Sequence, residues 1–211
     1  MSKYKAILFD LDGTLVSTNI SLIHHLFNQA VSKFGKTASV EDCKRFWFFN
    51  GRTDFIKNHF GISPSDFWPV YGALDTVDLR KKHAKAYPDV SSLHQLKSQG
   101  FKLGIVTGAK DDIAEYEIGL VGRALFDSVI VAHPNLGVAF KPHPQGIENC
   151  LKMLGFSNNQ AVYIGNADED VVFAKNAGVL DILVDRGEYV YSGPEPSHKI
   201  SHLYELENFL R

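Results

Sequence analysis

AILFDLDGT, residues 6–14, is the stretch that decides the fold of this 211-residue chain. Its first four residues form a short apolar run, which is typical of a strand buried on both faces of a parallel sheet. Asp10 follows this run, and the pair Asp12-Gly13 is a turn signal. The stretch therefore predicts a buried strand that brings the carboxylates of Asp10 and Asp12 to its carboxyl end.

Beyond Pro88, short apolar runs alternate with helical patterns. The predicted strands are 102–106, 128–132, 161–164 and 181–184, and the predicted helices are 91–99, one from 111, 144–154, 170–177 and 203–210. This alternation is typical of βαβ units and predicts a doubly wound, mostly parallel α/β sheet of the Rossmann-like type. Segment 187–197 is predicted to be a loop.

The residues between these two parts have a different pattern. Apolar residues recur there at helical spacing, and turn signals interrupt them. We expect a helical domain over 16–87, inserted into an α/β core made of 1–15 and 88–211. Within the insertion, the aromatic run 46–49 is expected to pack inside the helical bundle rather than to contact a substrate.

Composition excludes several classes of function. The net charge is −2, which argues against a broad nucleic-acid surface, and the short basic stretch 80–82 is interpreted as a solvated helix face. Cys43 and Cys150 lie far apart in no metal-binding spacing, which favours a reducing compartment. The apolar run before Asp10 is too short for a signal peptide or a membrane span, so we expect a cytoplasmic protein without a membrane partner.

Polar residues follow the predicted strands. In an open α/β sheet the ligand binds at the carboxyl ends of the strands. Of the two carboxylates that follow the first strand, Asp10 and Asp12, one can act as a nucleophile that forms an acyl phosphate and the other as a general acid and base. In isolation, the same residues also fit a simple Asp-Gly turn.

Two further strand ends offer groups for a phosphate. Thr107 has a hydroxyl that can bind a phosphate oxygen, and Gly108 leaves backbone amides open to it. Lys141 precedes a proline, which favours an extended backbone, and its ammonium can offset phosphate charge. A plain strand-to-helix turn and a solvent-exposed loop lysine are the alternatives for these positions.

Segment 165–170, Gly-Asn-Ala-Asp-Glu-Asp, combines three acidic residues with the amide of Asn166. Mg²⁺ prefers oxygen ligands and a small number of protein carboxylates, so the segment predicts a magnesium site. Acidic residues in the first turn of a helix are also explained by capping and by the helix dipole. The two interpretations are compatible.

These motifs, taken in order, resemble those of the haloacid dehalogenase-like hydrolase superfamily over nearly the whole chain. The resemblance is carried by FDLDGTL at 9–15, YPDV at 87–90, GIVTG at 104–108, KPHP at 141–144 and the pair Gly165 and Asp170. The inserted helices resemble the small cap of the phosphoglycolate-phosphatase-like branch. The resemblance implies a cap that closes over the crevice and selects the substrate.

The resemblance also implies roles for individual residues. It makes Asp10 the nucleophile and a metal ligand, and Asp12 the general acid and base whose carbonyl oxygen also binds Mg²⁺. Thr107 and Lys141 would hold the phosphoryl group, assisted by Gly108. Residues 166 and 170, Asn166 and Asp170, would complete the metal site. Arg52, in the cap turn, is either a clamp for an anionic substrate or a surface ion-pair partner.

The expected function is therefore Mg²⁺-dependent hydrolysis of a small phosphorylated metabolite through an aspartyl phosphate. Asp12 argues for phosphate chemistry over halide release, and the cap turn at 50–53 contains no lysine for phosphonate cleavage. A phosphomutase is an alternative, although Leu22 stands where that branch has a polar residue. A non-catalytic phosphate-binding protein is the other alternative, because most relatives have aspartate where this chain has Asn166.

Overall fold

The structure, a computed structural model, describes residues 2–210. These residues form two compact units. The first runs to Ser17 and resumes at Lys85, and the second is Thr18–Ala84. The strands are β1 (Ala6–Phe9), β2 (Val16–Ser17), β3 (Lys85–Ala86), β4 (Lys102–Thr107), β5 (Ser128–Val131), β6 (Ala161–Gly165), β7 (Leu180–Val184) and β8 (His198–Ile200). The helices are α1 (Ile20–Ser32), α2 (Val40–Phe48), α3 (Arg52–Phe60), α4 (Pro64–Leu74), α5 (Val77–His83), α6 (Ser92–Ser98), α7 (Asp111–Val121), α8 (Gln145–Leu154), α9 (Asp168–Asn176) and α10 (Leu206–Leu210).

The first unit is built on a six-stranded sheet with the strand order β5-β4-β1-β6-β7-β8, and every pairing in it is parallel. β1 therefore lies in the interior of the sheet, between β4 and β6. This confirms the α/β fold class expected from the alternation of strand and helix patterns. Parallel strands need crossover connections, and α7, α8 and α9 each connect one strand to another.

Burial on both faces of the sheet explains why β1 reads as a continuous apolar run. Ala6 and Leu8 pack in one core cluster with side chains of α8 and α9. Ile7 and Phe9, which point to the opposite face because side chains alternate along a strand, are equally buried. A strand covered on both sides has no polar position in its pattern.

Two details at the end of the chain differ from the predictions. α9 begins at Asp168, two residues earlier than predicted, because the acidic residues of its first turn favour the helix N-terminus. Strand β8 was not predicted, since its three residues His198–Ile200 carry too little apolar pattern to be recognised. It joins the sheet through parallel pairing with β7.

The second unit, Thr18–Ala84, contains α1 to α5 around an aromatic core. Phe27 stacks on Phe46 with ring centroids 4.3 Å apart, and Phe60 and Phe67 meet Phe27 edge to face. Phe46 belongs to this core and Trp47 packs against it, which supports packing inside the bundle as the role of these two residues of the run 46–49. Such aromatic pairs add to the stability that apolar burial already supplies.

The interpretation of residues 80–82 as a solvated helix face is wrong for Arg80. Its guanidinium is buried and donates to both carboxylate oxygens of Asp75, each at 2.8 Å, and to the hydroxyl of Thr18 at 3.2 Å. The ring of Trp47 lies 5.4 Å away. A charged side chain is expected to be exposed unless it has a partner. The sequence gives no sign that Asp75 is this partner, and only the packing of α5 reveals the contact.

A short antiparallel ribbon links the turn after β1 to the segment that re-enters the sheet. Its strands β2 and β3 pair Val16 with Ala86 and Ser17 with Lys85. The amide of Tyr87 donates to the carbonyl of Leu15 at 2.9 Å, which extends the contact between the two chain segments. The residues just after Asp10 are therefore tied to residues about seventy positions later in the chain.

Asp127 makes pH-dependent stabilising contacts at the beginning of β4. It accepts hydrogen bonds from the amide of Leu103 at 3.0 Å, from Lys102 at 3.0 Å and from Lys97. Burial opposes ionisation of this carboxyl, but these hydrogen bonds outweigh it and lower its pKa to about 2. A pKa below the unfolded value means that the stabilisation is complete above about pH 4 and is lost as the pH falls towards 2.

We expect Asp127→Asn to lower the free energy of unfolding by about 1 kcal/mol at pH 7, with a smaller loss at pH 3. Urea unfolding at the two pH values measures this. Asp78→Asn is the matched control, because the bond of Asp78 to Lys81 is fully at the surface and should contribute nothing measurable. An equal loss at both pH values would contradict the role of the charged carboxylate.

Two further expectations concern membrane-spanning segments and the cysteines. No helix among residues 2–210 is long and apolar enough to cross a membrane. Cys43 and Cys150 are both buried and neither forms a disulfide. Burial raises the pKa of the Cys150 thiol to about 11 and that of Cys43 to about 12, so neither thiol has the thiolate character of a reactive cysteine.

Candidate active site

The carboxyl ends of three neighbouring strands meet at one edge of the sheet. Phe9, the last residue of β1, pairs with Ile105 of β4 and with Ile164 of β6. Asp10, directly after β1, therefore lies beside the ends of both neighbours, where Thr107 ends β4 and Asn166 follows β6. This is the crevice position at which open α/β sheets bind ligands.

Lys141 joins two of the predicted site carboxylates. Its ammonium lies 2.6 Å from Oδ1 of Asp10 and 3.0 Å from Oδ1 of Asp170. All three side chains are at most 10 % exposed. Burial lowers the pKa of Lys141, but the two carboxylates outweigh it and hold the pKa above its ordinary value. The loop lysine is therefore a buried cation at the centre of the site, and not a solvent-exposed residue.

Asp10 lies in an environment with excess negative charge. Its burial raises the pKa to about 7, with further increases from Asp170 and Asp12 and an opposing effect of Lys141. One ammonium thus does not compensate for this group of carboxylates. Such a shift is typical of a functional site, and it leaves a place for an additional cation.

Tyr163 belongs to the same cluster as Lys141 and Asp170, although no sequence motif marks it. Its buried hydroxyl accepts a hydrogen bond from Lys141 at 2.7 Å and lies 3.1 Å from the carbonyl oxygen of Val106 and 3.2 Å from Oδ1 of Asp170. Burial and the neighbouring carboxylates raise its pKa well above the ordinary value, so it is a neutral phenol. The only sequence signal was a hydroxyl in the otherwise apolar strand β6.

The turn after β1 brings Asp10 close to Asn166 through Thr14. The hydroxyl of Thr14 donates to Oδ2 of Asp10 at 3.2 Å and lies 3.4 Å from Oδ1 of Asn166. Gly13 makes this approach possible, because a Cβ at that position would lie 2.2 Å from the Asn166 amide nitrogen. Its φ of +81° also requires glycine.

Thr107 and Gly108 lie where the sequence placed them, at the end of β4. The hydroxyl oxygen of Thr107 accepts a hydrogen bond from the amide of Ala109 at 3.1 Å, so its proton remains available to another acceptor. Gly108 is exposed, and a Cβ there would meet nothing within 4 Å. The segment has both the donor and the open backbone that a phosphate oxygen requires.

The residues predicted to bind Mg²⁺ have a suitable donor set. Asp10 and Asp170 supply carboxylates, Asn166 a buried amide oxygen, and Asp12 a half-buried position with a backbone carbonyl. No three histidine, cysteine or acidic side chains within residues 2–210 form a metal-binding group by themselves. Mg²⁺ commonly uses one or two carboxylates and completes its shell with other oxygens and water. Together with the excess negative charge around Asp10, the set fits this ion.

Arg52, the predicted anion clamp, belongs to the helical unit. It is the first residue of α3, directly after Gly51 in the left-handed conformation. Its guanidinium is half-buried and lies 3.4 Å from the carbonyl oxygen of Trp47. The other predicted residues all belong to the α/β unit. There, Lys141 links Asp10 to Asp170, and the hydroxyl of Thr14 links Asp10 to Asn166.

A family model and two relatives each match most of this chain. The family model described as haloacid dehalogenase-like hydrolase matches residues 7–184. Pyrophosphatase PpaX of Halalkalibacterium halodurans is 29 % identical over 210 residues, which cover 95 % of this chain and 94 % of the relative. Glyceraldehyde 3-phosphate phosphatase of Methanopyrus kandleri is 26 % identical over 98 % of this chain and 97 % of its own length.

A solved structure supports the fold over the full length. The crystal structure of a predicted phosphoglycolate phosphatase from Haemophilus somnus superposes with a TM-score of 0.76 at 21 % identity, and covers all of both chains. The shared architecture therefore includes the inserted helices as well as the α/β sheet. At this level of identity the likeness shows the fold alone.

Proposed function

Because the chain belongs to the haloacid dehalogenase-like hydrolase family, we propose that it is a phosphatase that removes the phosphoryl group from a small phosphorylated metabolite. It is a hydrolase of a family whose relatives named above are a phosphatase and a pyrophosphatase, which confirms the expected enzyme class. The observation that carries the proposal is the buried contact of Lys141 with Asp10 and Asp170 at the carboxyl end of β1.

The proposed reaction has two steps. A carboxylate oxygen of Asp10 attacks phosphorus in line with the leaving oxygen, which takes a proton from Asp12 as its bond to phosphorus breaks. Water then attacks the aspartyl phosphate, gives its proton to Asp12 and releases inorganic phosphate. The hydroxyl of Thr107 donates to a phosphoryl oxygen, and the ammonium of Lys141, held by its hydrogen bonds to Asp10, Tyr163 and Asp170, supplies positive charge beside the transferring group. The charge that develops on the phosphoryl oxygens is therefore stabilised by groups already in place.

We propose Asp10, the Asp12 carbonyl, Asn166 and Asp170 as the ligands of Mg²⁺. When bound, this ion supplies positive charge that neutralises the phosphoryl oxygens. The support is the oxygen donor set and the number of carboxylates, since Asp10 and Asp170 share the single ammonium of Lys141. Asn166 contributes no charge of its own, so we expect weaker metal binding than an aspartate would give.

The helical unit is proposed to act as the cap that selects the substrate, with Arg52 binding an anionic part of it. Pyrophosphate, glyceraldehyde 3-phosphate and 2-phosphoglycolate are the first candidates, because similar proteins carry the corresponding names. All three combine a phosphoryl group with a small polar remainder. Cytoplasmic location remains a prediction from the short apolar run before Asp10.

The test is phosphate release from these three compounds and from a generic aryl phosphate, with Mg²⁺ and with a chelator. Release that requires Mg²⁺ supports the proposal, and Arg52→Ala should then raise KM for the best substrate more than it lowers kcat. Transfer of the phosphoryl group back to a second sugar hydroxyl would favour a phosphomutase. Stabilisation by phosphate without any turnover of the panel would favour a non-catalytic binding protein.

The effect of the amide at position 166 can be measured directly. We expect Asn166→Asp to lower the Mg²⁺ concentration for half-maximal activity by about 10- to 100-fold, because a ligand carboxylate adds a negative charge to the site. Without Mg²⁺ the same variant should melt at a lower temperature, since the added charge lies close to the carboxylate of Asp10, with only the hydroxyl of Thr14 between them. Titration calorimetry with Mg²⁺ provides a readout that does not depend on turnover.

Asn159→Asp is the matched control. Asn159 is exposed, and its Oδ1 accepts a hydrogen bond from Ser157 that an aspartate would keep. This variant carries the same change in net charge but should leave Mg²⁺ binding unaltered. Equal Mg²⁺ affinities of wild type and Asn166→Asp would contradict the assignment of residue 166 as a metal ligand.

A further inference from the structure

We infer that Arg186 is a positioning residue, which holds the turn after β1 in the shape that aims Asp10 at the substrate. Arg186 follows β7, far along the chain from this turn, and no sequence motif marks it. The inference rests on the proposed function for its catalytic consequence. Its structural part, that Arg186 restrains residues 13–16, can be tested without any substrate.

The guanidinium of Arg186 contacts three residues in two separate segments of the α/β unit. Nη2 donates to the carbonyl oxygen of Thr14 at 2.5 Å, and Nη1 donates to Oδ2 of Asp89 at 2.6 Å. Its plane lies over the ring of Tyr87, 4.0 Å from the centroid. The side chains of Arg186 and Asp89 are only 6 % and 5 % exposed. A planar guanidinium can donate from two nitrogens while its face stacks on the tyrosine ring, a combination that the compact ammonium of a lysine does not offer.

Thr14 connects this group to the candidate nucleophile. Its carbonyl accepts from Arg186, while its hydroxyl donates to Oδ2 of Asp10 and lies beside Oδ1 of Asn166. Thr14 is completely buried, so its carbonyl cannot turn to water if Arg186 is lost. A shift of this residue would move the hydroxyl that orients the carboxylate of Asp10.

The contacts of Arg186 also hold both strands of the linking ribbon at one of its ends, where Val16 pairs with Ala86. Thr14 lies just before β2, and Tyr87 lies just after β3. Asp89, two residues further on, is itself held by the amide of Leu203 through Oδ2 at 2.8 Å. The turn is therefore fastened to the segment 87–89 and, through it, to the last part of the chain.

The ion pair is not arranged for maximal stability. Oδ1 of Asp89 and Nε of Arg186 are buried and have no hydrogen-bond partner within residues 2–210. Buried polar atoms are normally satisfied, and a buried ion pair with unsatisfied atoms is weak evidence for a stabilising role. Burial of this ion pair therefore costs stability, but it places Nη2 of Arg186 against the carbonyl of Thr14. This favours positioning of the turn as the function of Arg186.

The main variant is Arg186→Lys, which keeps a positive charge for Asp89 but loses the planar fork that donates to Asp89 and Thr14 from separate nitrogens. We expect kcat to fall by about 10- to 100-fold with little change in KM, because a small displacement of a nucleophile mainly affects the transition state. Hydrogen exchange at the amides of residues 14–16 should become faster, while exchange in β4 and β6 stays slow.

Asp181→Asn is the matched control for lost stability. Asp181 is a buried carboxylate of the same unit and accepts from the amide and the hydroxyl of Ser197 at 2.7 and 2.6 Å. This variant should lower the melting temperature without changing kcat or exchange in residues 14–16. If Arg186→Lys does not fold, Asp89→Asn is measured instead. It keeps an acceptor for Arg186 and should show the same changes to a smaller extent.

The outcomes separate this inference from the proposed function. Unchanged exchange at residues 14–16 in a folded Arg186 variant overturns the inference, whether or not the protein is active. Faster exchange with an unchanged kcat overturns its catalytic part. Wild type without activity on any phosphorylated compound contradicts the proposed function, whereas the exchange measurement still decides whether Arg186 restrains the turn.

Discussion

Asp10→Asn is expected to reduce phosphate release by at least about 10³-fold, the scale of loss when a covalent nucleophile is removed. Asparagine keeps the shape of the side chain, and its one oxygen can still accept from Lys141. Its NH2 group then replaces the oxygen that accepts from Thr14, whose hydroxyl can donate to Asn166 instead, so the fold should be retained. Asparagine cannot form the acyl phosphate at a useful rate. Initial rates with the best substrate of the panel, at saturating Mg²⁺, measure the effect.

Two further readouts make this result specific. Wild type quenched in acid during turnover should carry a covalent phosphate that hydroxylamine removes, as expected of an acyl phosphate, and Asp10→Asn should carry none. Without Mg²⁺, Asp10→Asn should melt at a higher temperature than wild type, because it removes one charge from a buried group of carboxylates. Asp111→Asn, an exposed aspartate of α7, should match wild type in every measurement. Full activity of Asp10→Asn would refute the mechanism.

Lys141→Met is expected to lower kcat by about 10²- to 10³-fold, as the loss of a preorganised group facing the transition-state charge does. It should also destabilise the Mg²⁺-free protein by about 3–5 kcal/mol, since it leaves Asp10 and Asp170 facing each other without their shared cation. Mg²⁺ should recover a large part of this stability. Kinetics and thermal unfolding with and without Mg²⁺ measure both effects.

Two controls accompany this variant. Lys175→Met makes the same substitution at an exposed lysine of α9, whose ammonium donates to the carbonyl of Glu195, and should change neither property. Tyr163→Phe removes one of the three hydrogen bonds of Lys141 and should give a smaller loss of kcat, about 10-fold. A Lys141→Met protein with wild-type activity would show that the ammonium does not act on the phosphoryl group.

Much of the fold could be predicted because a parallel sheet has a simple signature in the chain. A strand buried on both faces reads as a continuous apolar run, as in Ala6–Phe9, and the helix that follows gives a different period. The order of these elements then indicates which strand ends carry Asp10, Thr107, Asn166 and Asp170. The short strand β8 was missed because three residues carry almost no periodic signal.

The residues of the candidate site also fall into two groups, those that the sequence identified and those that it did not. The residues found from the sequence have chemical types that stand out at a strand end: paired carboxylates, a lysine before proline, and an acidic segment after a glycine. Tyr163 does not stand out, because a tyrosine in a buried strand is usually a core residue. Its role depends on the contact of its hydroxyl with Lys141, and the backbone pattern of β6 contains no record of that contact.

The sequence by itself determined the α/β architecture, the helical insertion and the main catalytic candidates of this hydrolase. Only the tertiary structure decided which polar atoms meet: Lys141 with Asp10, 131 residues apart, and Arg186 with the carbonyl of Thr14, 172 residues apart. The physical reason is that periodicity reports which side of an element is buried. Hydrogen bonds between distant residues depend instead on the positions of single atoms, which are set when the strands and loops pack together.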